Sequence, residues 1–349
     1  MKFIYSNGFK IFLLFLAFLL GFIVSVSVGS VRIPLKYTFE IFFSKYLGIG
    51  INETFQSEYY EIITKVRLPR VLLGMVVGVS LSVAGLIFQA LLRNPLADPY
   101  TLGISAGSAF GAGLAILFSY VISSVFKSLI PLFAFIGGIS TVFIVYFLAR
   151  ARGRIQILTI ILSGVVVSYL FSSGLVFIMS ILGDRAHEVI FWLMGSLAGY
   201  HKSQLTASIL IILLSIFTFG FFRDLDIILL GDDQAKALGV NVELVRILLF
   251  GIASLITATA VSLSGTIGFV GLIIPHTMRL VFGPKHKKLI PSTIVAGATF
   301  LPLSDTLART IPGFILGGGV EVPVGVVTSI FGSPFFLFLL IKGKKKYWF

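Results

Sequence analysis

ILLFGIASLITATAVSLSGTIGFVGLIIPHTM, residues 247–278, runs for 32 positions without Asp, Glu, Lys or Arg. A helix needs about 20 apolar residues to cross a hydrocarbon layer of about 30 Å. The block is therefore too long for one crossing, and Gly265-Thr-Ile-Gly268 is a natural break. The expectation is one long helix followed by a short one. Reading outward, charge-free stretches recur at 11–31, 71–92, 99–126, 128–149, 155–183 and 203–222. On the other side, 289–304 extends past Asp305 toward Pro312, and 322–341 follows. The count is ten helices, with both chain ends on one side of a membrane. The first stretch is too long for the apolar core of a signal peptide, and it reads as a retained span.

Composition agrees. The chain has 349 residues, 57% hydrophobic and 12% charged, with a mean hydropathy of +1.05. Soluble domains carry about 25% charged residues, so a soluble enzyme, a nucleic-acid binder or a disordered chain is excluded. A membrane β-barrel would alternate apolar and polar residues, whereas these apolar residues come in unbroken blocks. There is no cysteine, hence no disulfide framework or thiolate metal site. The net charge of +13 serves topology. With the N-terminus inside, inner segments hold 17 of the 27 basic residues and six of the 14 acidic ones. The inside then nets +11 and the outside +2, although the longest loop, 32–70, lies outside. This is the positive-inside pattern. The fold class is an all-α integral membrane protein, N-in and C-in, folded as one transmembrane domain over 1–349.

Missing motifs narrow the function. No G-x-x-x-x-G-K-[ST] loop is present to hold ATP, and no H-E-x-x-H or G-x-S-x-G motif marks an enzyme. His187, His201, His276 and His286 are scattered and read as interfacial residues, so no metal site and no cofactor are expected in this chain. Carriers driven by ion gradients need ionisable groups at membrane depth. Asp305 and Glu321 are the only candidates, and both fall near the outer face. An ion-gradient carrier is therefore the second hypothesis, separable from the first by ATP dependence.

Several long motifs occur in order: Arg67-Leu-Pro-Arg70; Gly85 and Gln89; Arg93-Asn-Pro-Leu-Ala-Asp-Pro99; Leu102-Gly-Ile-Ser-Ala-Gly107; Phe191-Trp-Leu-Met-Gly-Ser-Leu-Ala-Gly199. Further along come Leu230-Gly-Asp-Asp-Gln-Ala-Lys-Ala-Leu-Gly-Val240, the 265–279 segment, and 321–334. Together they resemble the iron-chelate/cobalamin permease family of ABC importers. The resemblance implies a homodimer with ten helices per subunit in the cell membrane. Two cytoplasmic ATPase subunits, carrying ATP and magnesium, would dock inside, and a soluble binding protein would dock outside. The cargo would be a metal chelate, most often a ferric siderophore, with cobalamin and haem as alternatives. The second copy, the ATPases, the binding protein and the bilayer are the expected partners, and nucleic acid is not.

Residue expectations follow. The 226–240 segment is patterned: Ile227, Leu229, Leu230, Ala235 and Leu238 alternate with Asp232, Asp233, Gln234 and Lys236, punctuated by Gly231 and Gly239. The resemblance makes it the coupling segment, with Leu230, Ala235 and Leu238 forming an apolar face seated in the ATPase. Arg67, Arg70 and Arg309 fall at the outer ends of spans two and nine. Bare arginine is costly in lipid. Either they pair locally, Arg309 with Asp305 one turn away and with Glu321 nearby, or they form a basic patch. The resemblance implies the patch, docking carboxylates of the binding protein. Span five, with Ser163, Ser168 and Ser172, and span ten are expected to line the pathway. The resemblance places an inner gate at Gln156 and Ile157.

Overall fold

The computed structural model describes residues 7–31, 33–47, 57–150, 157–199, 204–316 and 320–342, and these are helices, turns and short loops. In chain order the α-helices are α1 (Asn7–Ser27), α2 (Leu35–Leu47), α3 (Ser57–Glu61), α4 (Leu68–Leu91), α5 (Ile104–Val121), α6 (Ile130–Ala149), α7 (Ile157–Leu182) and α8 (Ala186–Leu193). Then come α9 (Leu205–Phe217), α10 (Phe222–Ile228), α11 (Asp232–Ala237), α12 (Val242–Ser264), α13 (Val270–Phe282), α14 (His286–Leu316) and α15 (Val324–Lys342). Seven helical stretches among the described residues are long and apolar enough to cross a membrane; α13 and α15 are shorter apolar helices.

The break in the opening stretch lies where its glycines place it. α12 stops at Ser264, Gly265 takes φ 68°, and α13 starts after Phe269, which also has φ 68°. Two boundaries differ from expectation. The second span starts earlier than residue 71: α3 leads through a π-helical turn, Ile62–Arg67, directly into α4. Glu61 and Lys65 pair at i,i+4, which lets the helix carry charge out of the apolar layer, so the outer loop is shorter than 32–70. The third span starts later than residue 99. Pro99–Leu102 is a 3₁₀ turn capped by Asp98, and Gly103 at φ 82° resets the chain for α5.

α4 is the central helix, buried along most of its length against α9, α12, α13 and α14. Lipid offers no hydrophobic drive between helices, so close approach through small residues supplies the contact. A Cβ at Gly85 would lie 1.9 Å from the Gly271 carbonyl of α13, and one at Gly78 would lie 2.2 Å from the Gly297 carbonyl of α14. Gly107 and Gly137 bring α5 and α6 together in the same way. By contrast α1 lies at the margin: it packs on α14 and exposes Ile11, Phe12, Phe15 and Leu20.

Candidate functional site

Three regions carry the expected site residues: an ion network at the end that the sequence reading expects to be outer, a hairpin at the end that it expects to be inner, and a cavity.

At the outer end, Arg67 is 3% exposed and Arg309 4%. Arg67 donates to the carbonyls of Ser27 (2.5 Å), Val26 (3.3 Å) and Val31. Arg309 donates to the Ser25 carbonyl at 2.5 Å and to the Thr306 hydroxyl at 3.1 Å. The last carbonyls of a helix have no partner inside it. Here two guanidinium groups supply donors to the end of α1 and sit where the helix dipole favours a cation. Arg70 grips Asp305 through two bonds of 2.9 Å and reaches Glu321 at 2.8 Å. Asp305 also lies 3.5 Å from Arg309. Of the two expected arrangements, the structure shows the local pairing. The arginines are engaged inside the subunit because α1 folds back on α4 and α14 and leaves carbonyls to be satisfied. Of the three, Arg70 alone is joined to a half-exposed carboxylate, that of Glu321.

At the inner end, α10 and α11 form a helical hairpin turned by Gly231 at φ 124° and closed by Gly239 at φ 85°. Leu230 and Leu238 are exposed at 57% and 61%. Ala235 is fully buried in the core, so the three do not share one apolar face as expected. A six-residue helix turns through less than two turns, and its one buried position is the small residue that lets it lie against the bundle. Asp232 faces the protein as well. Its Oδ1 accepts from Arg246 at 2.9 Å and from Arg93. Burial works to raise the Asp232 carboxyl, but the hydrogen bonds and charges of Arg246 and Arg93 outweigh it and hold it below the usual carboxylate range. Asp226 caps the start of α14, accepting from the His286 backbone N–H at 2.9 Å and meeting its ring Nδ1 at 2.6 Å.

Between them is a cavity of about 1080 Å³, walled by α5, α7, α15 and the unwound stretch between α12 and α13. Its polar lining is neutral: Ser105, Ser172, Ser329, Ser333, Thr266 and Tyr100, with apolar side chains between them. No charged side chain lines it among the described residues. α7 and α15 do line it, through Ser172 and Ser329 among others. Ser163 and Ser168 do not: Ser163 is buried, and Ser168 turns to the Gly164 carbonyl beside Gly103. Ser163 is nine residues from Ser172 and so lies on the opposite side of the helix, whereas Ser168, one turn before Ser172, shares its face but is tied to the Gly164 carbonyl. Gln156 lies outside the described residues, and of Ile157 only the backbone, at the start of α7, is described.

The unwound stretch is tied down at several points. The Tyr100 hydroxyl donates to the Ile267 carbonyl and accepts from the Ile267 N–H, each at 3.0 Å. Thr266 donates to the Leu193 carbonyl. The Ser196 N–H donates to the Ser264 carbonyl at 2.7 Å. These residues were missed in the sequence. The one available signal was Asp98-Pro99-Tyr100, an acid ahead of proline able to cap a turn. Asp98 accepts from the Tyr100 N–H at 2.8 Å. Burial pushes its carboxyl up to about 6, against the lowering effect of that bond.

A helical membrane chain with an uncharged cavity and an inner hairpin is what a permease subunit requires. Residues 16–342 match the family model described as the FecCD transport family. The chain belongs to that family. It is 35% identical to the ABC transporter permease protein YvrB of Bacillus subtilis, over 97% of this chain and 95% of the relative. It is 36% identical to the hemin transport system permease protein HmuU of Yersinia pestis, over 95% and 97%. Other relatives are named for cobalamin, Fe(3+) dicitrate and molybdate. Among solved structures, a metal-chelate type ABC transporter in an inward-facing conformation superposes with a TM-score of 0.79 at 29% identity, covering 96% of this chain and all of that one. This FecCD-family chain is therefore a multi-pass permease subunit of an ABC transporter, and not itself an enzyme.

Proposed function

We propose that the chain is the membrane subunit through which an ABC importer passes a metal chelate, a ferric siderophore in preference to cobalamin or haem. The observation that carries this reading is the cavity. A space of about 1080 Å³ lined by hydroxyls and apolar groups suits a bulky chelate whose metal charge is already neutralised by its own ligands. It offers nothing to a bare cation or a small oxyanion, either of which needs opposite charge or oriented donors when desolvated. Weak polarity also favours release, so affinity belongs to a binding protein on the outer face, where Arg70 and Glu321 are the reachable ion pair. Two copies of the chain, ten spans each with both ends inside, enclose the pathway. Two ATPase subunits bind the inner face over the exposed Leu230 and Leu238, and ATP and magnesium belong to them.

The test is uptake into proteoliposomes containing the chain, its ATPase and its binding protein. A ferric hydroxamate, haemin, cyanocobalamin and molybdate are compared, with ATP inside the vesicles. ATP-dependent accumulation of the ferric chelate is expected. Uptake driven by a proton or sodium gradient without ATP overturns the class, and preferential molybdate uptake overturns the cargo reading.

A further inference from the structure

The hairpin and the cavity wall are joined by a continuous series of contacts. Oδ1 of Asp232, in the first turn of α11, receives both Arg93 and Arg246. Each arginine starts a route that ends at the same place. Arg246 belongs to α12, which runs as an unbroken helix to Ser264 and delivers the chain to Gly265. Nineteen residues of helix span about 28 Å. Arg93 opens the turn after α4. Its Nε donates to the Ile228 carbonyl of α10 at 3.0 Å, so it holds the hairpin at two points. Its backbone is left-handed at φ 47°, one of two non-glycine residues in that region among the described residues. Such a conformation is strained for a residue with a side chain and persists where surroundings fix it. The turn continues through Asn94, whose side chain accepts from the Leu96 N–H, to Asp98, which caps the 3₁₀ turn holding Tyr100. The Tyr100 hydroxyl then clamps both backbone groups of Ile267.

The two routes therefore converge on residues 265–269. That stretch is non-helical between the two helices, held by the side-chain contacts described above. Gly265 occupies φ 68°, ψ −166°, and Phe269 is the second left-handed non-glycine residue among the described residues. It also faces the cavity through Thr266 and Gly268. Phe269 packs so closely on Gly332 of α15 that a Cβ there would lie 2.3 Å from its ring. A shift of the stretch therefore reaches a second cavity wall.

We propose that Asp232 and Tyr100 are positioning residues at the two ends of a relay that delivers movement of α11 to the 265–269 stretch of the cavity wall. This rests on the permease reading above. Asp232 gathers the force through a single oxygen, and Tyr100 applies it through a single hydroxyl. Contiguity alone does not demonstrate coupling, so the relay is defined by what breaking it does.

The chain contains no cysteine, so Ser329→Cys places one unique thiol in the cavity wall, on α15. In the full complex with its ATPase, the rate at which this thiol reacts with a membrane-impermeant maleimide is measured without nucleotide and after trapping with ATP and vanadate. The reporter alone should respond to trapping. Arg93→Gln and Tyr100→Phe, each added to the reporter, should reduce that response about five-fold or more, the range of ordinary allosteric couplings. Arg93→Gln leaves Leu230 and Leu238 in place, so the ATPase should copurify and hydrolyse ATP as in the parent. The double variant should respond no less than the weaker single variant, because both lesions interrupt one route. A parent complex that fails to bind the ATPase or to respond to nucleotide refutes the permease reading. A responsive parent with equally responsive Arg93→Gln and Tyr100→Phe variants refutes the relay alone. Loss of response together with loss of ATPase binding in Arg93→Gln also refutes it, since the residue would then only hold the hairpin folded.

Discussion

Replacing Arg67 with alanine distinguishes a docking arginine from a structural one. The side chain is 3% exposed and donates to three carbonyls at and beyond the end of α1. A hydrogen bond to a charged group contributes about 1.5–3 kcal/mol, so three such bonds amount to roughly 5–9 kcal/mol gross. Keeping a guanidinium out of water costs several kcal/mol, and alanine relieves that cost. The net loss should be about 2–4 kcal/mol, with the outer end of α1 released. The assay is thermal unfolding of the purified chain in detergent, paired with affinity for the binding protein in membranes. Arg67→Ala should melt well below the parent, and Arg67→Lys should fall between, since an ammonium keeps the charge but not the fork. Gly29→Ala supplies an independent check, because its Cβ would sit 2.8 Å from the Arg67 guanidinium; it should destabilise in the same direction. An Arg67→Ala protein that melts like the parent but no longer docks the binding protein refutes this reasoning and restores the basic patch.

Three further outcomes are expected. Gly85→Ala should weaken folding by about 1–3 kcal/mol or more, because clearing the Gly271 carbonyl from 1.9 Å parts α4 from α13 by roughly 1.4 Å; Gly251→Ala, with nothing within 4 Å, should be neutral or stabilising in the same unfolding assay. Leu238→Asp should abolish ATPase copurification while the chain still inserts, since it buries a charge in that contact at a cost of several kcal/mol; Ala235→Asp, aimed into the core, should instead lower the yield of folded protein. Asp98 has a folded pKa raised to about 6, so its neutral form favours the folded state. That contribution is complete below the unfolded carboxylate value and is lost as pH rises through about 6. The melting temperature should therefore be higher at pH 5 than at pH 7, and Asp98→Asn, which keeps an acceptor for the Tyr100 N–H, should flatten the difference.

The sequence disclosed the helical class, the break at 265–268 and a patterned, glycine-punctuated element at 226–240, because each depends on local composition: apolar length, glycine placement and clustered charge. The pairing of Asp305 with Arg309 was also visible, since i,i+4 neighbours meet on any helix. What stayed hidden is rotation. A helix in lipid is apolar on every side, so the serines of α7 gave no sign that 172 faces the cavity while 163, on the opposite side, is buried against neighbours. The burial of Arg67 and Arg309 was hidden for a related reason. A charge near a membrane edge suggests water, and only the folding of α1 onto α14 creates the carbonyls that draw both inward. Ala235 depended on which side of a six-residue helix meets the bundle, and sequence periodicity cannot settle that in under two turns.

The clasp on α1 has a consequence for how the chain is made. α1 is fastened at its inner end by Lys10, which donates to the Val281 carbonyl at 2.8 Å, and at its outer end by Arg67 and Arg309. Val281 and Arg309 are synthesised more than 250 residues after the segment they hold. Arg67 can serve the carbonyls of Val26 and Ser27 soon after α1 is made, but the Ser25 carbonyl and the Lys10 contact wait until α13 and α14 arrive. A ribosome-bound chain ending before α14 should leave α1 open to chaperones and membrane proteases. Completion of the bundle is then reported at α1.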